Sequence, residues 1–282
     1  MRAMTKFDRW NPEAGFFHTA TKDVRFWSPQ ESARRSRQRD SVKPPSQKRY
    51  RNVVRIDLPK PSDGEFGRIA VNRRTWRRFS KKAVTLQDLS TVLGLSAGVH
   101  KWVRLGAGEV PLKTSPSGGA RHPIEVYVAA RDVDGLSSGL YHYAADRHAL
   151  ERLRRGLTEQ RIRRYLPHGG YFARASALVL LTAVFDRQLW RYTYSRAYRA
   201  ALIEAGHICQ TFCLAATSLE LAPFSVMALA DSVIERDLGI DGIGETILYA
   251  AGVGHPPRGT QWAPLPRGSL SARENPRLKP AK

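Results

Sequence analysis

A glycine pair set between a proline and a strand signal constrains this chain more than any other feature. The run Thr114-Ser115-Pro116-Ser117-Gly118-Gly119-Ala120-Arg121-His122-Pro123 leads into Ile124, Val126 and Val128, apolar at every second position. That alternation predicts a strand over 124–130. The strand would hold the turn on a rigid edge. Glycine lacks Cβ, so bare backbone N–H groups and the Ser117 hydroxyl could lie against a flat, polar ligand. Glycine-rich turns are also common as plain connections, so the meaning of this one depends on its surroundings.

Those surroundings read as an α+β domain. Thr85-Leu86-Gln87-Asp88 starts a helix with a capping hydroxyl and a nearby acid, and Leu86, Leu89, Val92 and Leu93 form its apolar face. Strands follow at 124–130, 139–144 and 148–153, the last two joined through Ala144-Ala145-Asp146-Arg147. A basic helix near 157–165 precedes an apolar strand at 177–185. Helical spacing of Tyr198, Leu202, Ala205, Ile208, Phe212, Ala215 and Ala216 predicts a long helix over 195–219. The run Leu221 to Val226, a helix near 231–238 and a strand at 246–253 complete the body, assigned to residues 66–255. Residues 1–65 are basic and proline-containing, an extension with little core of its own. Trp10, Phe16, Phe17, Phe26 and Trp27 in it need something to bury against, the main body or a second subunit. Residues 256–282 form an irregular tail.

Charge is the outlier: 46 Lys and Arg against 25 Asp and Glu, a net +21. Such a field attracts anions, whether acidic peptides, phosphorylated cofactors, nucleic acid or headgroups, without choosing among them. The basic residues are spread along the chain and no zinc finger, RNP sequence or GXXG loop is present, so nucleic acid is a poor fit. Arginine-rich composition from a high-GC genome is an equally good account. Cys209 and Cys213, four apart, lack the further ligands of a zinc site and read as reduced packing residues, which fits the cytoplasm. Met1 to Lys6 leads into no signal-type apolar run, and the stretch Ala177 to Phe185 is too short to span a bilayer. A soluble protein without membrane partners is expected. Gly239, Gly242 and Gly244 lack the strand–turn–helix context of a dinucleotide fingerprint.

Arg74-Thr75-Trp76-Arg77-Arg78-Phe79 places two guanidinium forks around a hydroxyl, donors that suit a phosphate, although a solvated basic turn would read the same. Together with the Pro-Ser-Gly-Gly-Ala-Arg-His-Pro turn, Gly139-Leu140-Tyr141-His142-Tyr143, Tyr198-Arg199, Glu204-Ala205-Gly206-His207-Ile208-Cys209-Gln210 and Glu245 to Gly254, it forms an ordered series. The series resembles the FMN-dependent nitroreductase superfamily from about Arg73 to Gly254, and within it the SagB/ThcOx-type dehydrogenases that oxidise azolines in peptide natural products. The resemblance implies an α+β flavin fold, a central mainly antiparallel sheet flanked by helices, and an intertwined homodimer with FMN at the interface. By match, Arg74, Thr75 and Arg77 would hold the phosphate and ribityl chain. Pro116, Ser117, Gly118 and Gly119 would line the isoalloxazine from the partner subunit. The loop containing Leu221, Ala222, Pro223 and Phe224 would offer backbone donors near the ring. Gly254 and Arg258 would finish the phosphate site, with His255 where the family often has a basic residue.

Azoline oxidases of this group carry a Lys-Tyr pair before the Gly-His-x-x-Gln helix, and the matching residues here are Arg191 and Tyr192. A tyrosine acts as a base near neutral pH only when a neighbouring cation favours the phenolate, and arginine supplies charge without accepting a proton. Tyr192 is the candidate base and Arg191 its electrostatic partner, while Trp190, Tyr192 and Tyr194 also read as packing at a helix start. His207 and Gln210 read as structural. Three functions stay open from the sequence: azoline-to-azole oxidation on a peptide- or carrier-bound substrate, NAD(P)H-dependent nitro or quinone reduction, and a basic adaptor without turnover. The basic surface suits an acidic leader peptide or carrier protein.

Overall fold

A computed structural model describes residues 12–27, 30–31, 34–35, 45, 47–59, 64–105, 108–257 and 259. Its described residues fall into two units, one within Met1–Val24 and Arg73–Trp262, the other within Arg25–Asn72 and Ala263–Lys282. The second unit contains α2 (Glu65–Asn72) and a stack in which Arg25 and Arg35 flank the Trp27 ring, 4.9 and 3.5 Å from its centroid.

The first unit runs α1 (Pro12–Thr21), β1 (Val84–Thr85), α3 (Leu86–Ala97), β2 (Val99–Leu105), β3 (Gly108–Lys113), β4 (Ile124–Ala130), β5 (Val133–Asp134), β6 (Gly139–Ala144), β7 (Ala149–Arg155), α4 (Glu159–Tyr165), β8 (Ala177–Val184), α5 (Phe185–Leu189), α6 (Ala197–Ser218), β9 (Ala222–Val226), α7 (Asp231–Leu238) and β10 (Glu245–Gly254). Its centre is a six-stranded sheet in the order β7-β6-β4-β8-β10-β9. Every neighbouring pair in it is antiparallel.

Two-residue alternation sorts the strands between two cores. Val126 and Val128 lie opposite Leu181 and Val179 in register, and all four join the core beneath α3 and α6. Tyr127 and Ala129, opposite Leu180 and Leu178, join the other core with Ile162 of α4 and Ile234 of α7. Burial on both faces explains why β4 and β8 read as nearly continuous apolar runs. The α3 cap forms as its residues dictate: Thr85 Oγ1 accepts from the Asp88 N–H at 3.0 Å and donates to the Asp88 carboxylate at 2.8 Å. On α6, Tyr198, Ala201, Ala205, Ile208, Phe212 and Ala216 turn inward at helical spacing.

Three features depart from the sequence reading. The extension packs on the main body, one of the two settings expected for it, but through a helix over residues 12–21 that leaves Phe16 and Phe17 exposed: buried His18 bonds the Tyr198 hydroxyl at 3.2 Å and donates to the Gly242 carbonyl at 3.0 Å, and Lys22 pairs with buried Glu235. The segment 99–113 is an unforeseen two-stranded hairpin, β2–β3. The run Leu221 to Phe224 is no loop: Ala222 to Val226 is the edge strand β9, its Pro223 tolerated because an edge position needs no donor there.

Candidate functional site

The glycine turn is built by its own sequence. Ala120 N–H donates to the Ser117 carbonyl at 3.1 Å, and His122 N–H donates to Ser117 Oγ at 2.9 Å. Gly119 takes the left-handed conformation, φ 62° and ψ 23°, and Ala120 and His122 also have positive φ. A non-glycine residue held there stores strain, a cost met by the contacts around the turn. Those contacts join the turn to two helices. Ser115 Oγ donates to the Ser96 carbonyl of α3 at 3.0 Å, and His207 Nδ1–H of α6 donates to the Pro116 carbonyl at 3.3 Å. Pro116, Gly118 and Gly119 stay exposed, so the bare backbone faces outward.

Tyr192 closes over this turn. A Cβ on Gly119 would stand 2.6 Å from the Tyr192 hydroxyl, and one on Gly118 would stand 3.2 Å from Gln188 Nε2. Tyr192 N–H donates to the Gln188 carbonyl at 3.0 Å, which winds the segment after α5 back toward the glycines. Tyr192 is half-buried, whereas Arg191 and Trp190 are exposed. The Arg121 guanidinium lies 5.0 Å from the Trp190 ring centroid.

Behind the turn sits a charged network. Arg187 donates to the His122 carbonyl at 3.0 Å and pairs with Glu125. His122 Nε2–H donates to the Pro111 carbonyl at 2.9 Å, and its Nδ1 stands 3.7 Å from buried Glu204. Burial pulls the Lys113 amine below the usual lysine range, although Glu125 and Glu204 oppose it. Glu125 is itself drawn down: burial works against ionisation, but the bond from His142 and the charge of Arg187 prevail.

The arginine run forms a second group. Trp76 N–H donates to the Pro223 carbonyl at 3.0 Å, and Ser80 N–H donates to the His255 carbonyl at 2.9 Å, so residues 73–80 cover β9 and the end of β10. Phe79 packs on Gly254, where a Cβ would come within 2.8 Å of its ring, and its centroid lies 5.6 Å from that of Phe224. Phe224 in turn fills the space over Gly252 and stacks on Phe172 at 4.1 Å. Arg74 Nη1 donates to the Arg73 carbonyl at 3.0 Å, and Arg73 reaches Thr75 Oγ1 at 3.5 Å. Arg77 is exposed. Leu221, Ala222 and Phe224 are fully buried, so their side chains are core and only backbone atoms remain to meet a ligand. Arg258 lies outside the described residues.

The structure thus gathers Pro116, Ser117, Gly118, Gly119 and Tyr192 in one group, and Arg74, Thr75, Ala222, Pro223, Phe224 and Gly254 in another. Helix α6 serves both: His207 and Thr211 support the turn, and Cys213 Sγ lies 3.9 Å from the Phe224 carbonyl. Sequence reasoning missed Gln188, His122 and Lys113 as parts of the site; His122 stood inside the quoted motif, but nothing local marked the others. Two buried polar atoms near the arginine run, Trp76 Nε1 and His255 Nε2, have no hydrogen-bond partner. A buried donor left open beside arginines suits an anionic oxygen. The exposed backbone of Gly118 and Gly119, beside the Tyr192 hydroxyl, suits a flat ring. The residues present fit FMN.

An antiparallel sheet between two helical layers, carrying a glycine turn under a tyrosine and an arginine run over its far strand, defines an α+β fold. The chain belongs to the Nitroreductase family, whose profile matches residues 70–255. The putative nitroreductase MJ1384 of Methanocaldococcus jannaschii is 31% identical over 189 residues, 67% of this chain and 91% of that protein. The trifolitoxin-processing protein TfxB of Rhizobium leguminosarum bv. trifolii is 32% identical over 173 residues, 59% of this chain but 46% of TfxB, so the match spans about half of that relative. Among solved structures, a chain of the E. coli microcin synthetase McbBCD complex with truncated pro-MccB17 bound shares the fold, with a TM-score of 0.60 at 20% identity, covering 91% of this chain and 99% of that one. Among the described residues no helix is long and apolar enough to cross a membrane.

Proposed function

We propose that this protein is an FMN-dependent dehydrogenase that oxidises an azoline to an azole on a peptide- or carrier-bound substrate, acting as a cytoplasmic homodimer. The observation that carries the reading is the Tyr192 hydroxyl held over left-handed Gly119. It sets a proton acceptor against exposed glycine backbone that a flat ring could approach. The relatives named for trifolitoxin and microcin processing support a peptide substrate.

In this reading Arg74, Thr75 and Arg77 grip the phosphate, with the Trp76 indole N–H as a further donor. Pro116, Ser117, Gly118 and Gly119 lie along the ring. FMN, when bound, supplies an acceptor for two electrons and one hydrogen. Tyr192 would take the acidic proton alpha to the carbonyl, and bound FMN would supply the acceptor for the accompanying hydride, so the azoline would lose two hydrogens in all. Arg191, next in the chain and exposed, supplies positive charge there without competing for the proton. Neither half of the site is enclosed by its own chain, since Gly118, Gly119 and Arg77 are exposed, and this supports a ligand held between two copies.

The test is direct. Purified protein should show the absorption of bound oxidised flavin, and Tyr192→Phe should keep that absorption while turnover falls about 10²- to 10⁴-fold, the usual worth of a positioned base. Unchanged turnover removes Tyr192 from the chemistry. Steady NAD(P)H consumption with a nitroaromatic, and none of the azoline oxidised, would replace this reading with a nitro or quinone reductase.

A further inference from the structure

The six-stranded sheet ends on one side at β7, which pairs with β6 alone. Nearly every residue of β7 is exposed, and Leu153 bulges out of the ladder between the pairs Tyr141–Arg152 and Leu140–Arg154. The outer edge of such a strand carries backbone N–H and C=O groups that can add a further strand.

This edge is strongly basic. Residues 149–164 hold six arginines against two glutamates and no aromatic residue. Asp237 joins the strand to the helix beside it: it accepts from Arg154 at 3.4 Å and from Arg161 Nε at 2.5 Å, so β7 and α4 present one continuous surface. Arg163 pairs with Glu159 at 2.6 Å. Arg152, Arg155 and Arg164 are exposed and have no carboxylate partner among the described residues.

We propose that β7 is a docking strand for an extended acidic peptide segment, which adds to the sheet edge and sets its carboxylates against Arg152, Arg155 and Arg164. Main-chain bonds supply affinity and the arginines select charge. A single-stranded nucleic acid is disfavoured, because residues 149–164 offer no ring on which a base could stack. The inference rests on the peptide-bound substrate proposed above and locates where that peptide is held. In the competing role, the basic side chains on the edge strand only keep copies of the chain from pairing edge to edge.

The probe is a dye-labelled twelve-residue peptide alternating Glu and Thr, followed by anisotropy with the full chain at low salt, beside the same peptide N-methylated at alternate bonds. Expected are saturable binding, at least tenfold weaker binding for the N-methylated peptide and for the double variant Arg152→Glu/Arg155→Glu, and slowed amide exchange across 149–155. Equal binding of both peptides, or unchanged exchange in β7, overturns the proposal. So does tighter capture of an oligo-dT with the same arginine dependence. The absorption spectrum is read in parallel. A yellow protein that ignores the peptide sinks the docking strand alone, and a colourless one that holds it sinks the flavin reading alone.

Discussion

Gly119 shows how much of the site rests on a missing methyl group. Its φ of 62° costs an L-residue about 1–2 kcal/mol, and the space a Cβ would take belongs to the Tyr192 hydroxyl. Gly119→Ala is expected to lower the melting temperature by a few degrees and to push the phenol off the turn, cutting turnover at least tenfold while flavin stays bound. An unaltered rate would separate Tyr192 from the turn. The sequence made the glycines, Arg74 and Tyr192 legible because each stands in a short ordered motif. Gln188 and Lys113 were not legible, since what gives them meaning lies far off in the chain: Gly118 for the first, Glu125 and Glu204 for the second. Leu221 to Phe224 misled for another reason. The resemblance implied a loop there, and only the pairing with β10 shows an edge strand over Ala222–Val226.

Among the elements, β4, β8 and α6 were readable because burial imposes one period over many residues. The hairpin β2–β3 was not, as it packs in no large sheet, carries Pro111, and leaves Trp102 and Leu112 exposed. The outer strands supply a prediction of their own. His142 on β6 lies 2.9 Å from Glu125 on β4 and 2.9 Å from Glu151 on β7. The bond to Glu125, partly opposed by burial and aided by Glu151, pushes its imidazole up to about 9. Because the folded value is raised, the stabilisation is complete below the unfolded value near 6.5 and is lost as pH rises through 9. Wild type should therefore lose thermal stability between pH 6.5 and 9.5 more steeply than His142→Gln. Parallel melting curves for the two proteins over that range would refute the assignment.

For the whole molecule, the proposed sharing of the site between two copies raises an expectation of its own. A flavin gripped between two copies should be released on dilution. Free flavin fluorescence is expected to grow as protein falls below the dimer dissociation constant, and to vanish again on concentration; a yield independent of concentration would mean that one copy holds the ligand unaided. The α+β class and the sheet were readable from the chain at this scale. That the extension would pack on another surface was readable, but the polar groups that anchor α1 were not, because His18 and Lys22 reach partners more than 200 residues away, at Gly242 and Glu235. Helix α6 touches the glycine turn through His207 and the far strand through Cys213. Acting as a common axle, it ties the glycine turn to the far strand, so adding or removing a residue within it would shift both together in a single event.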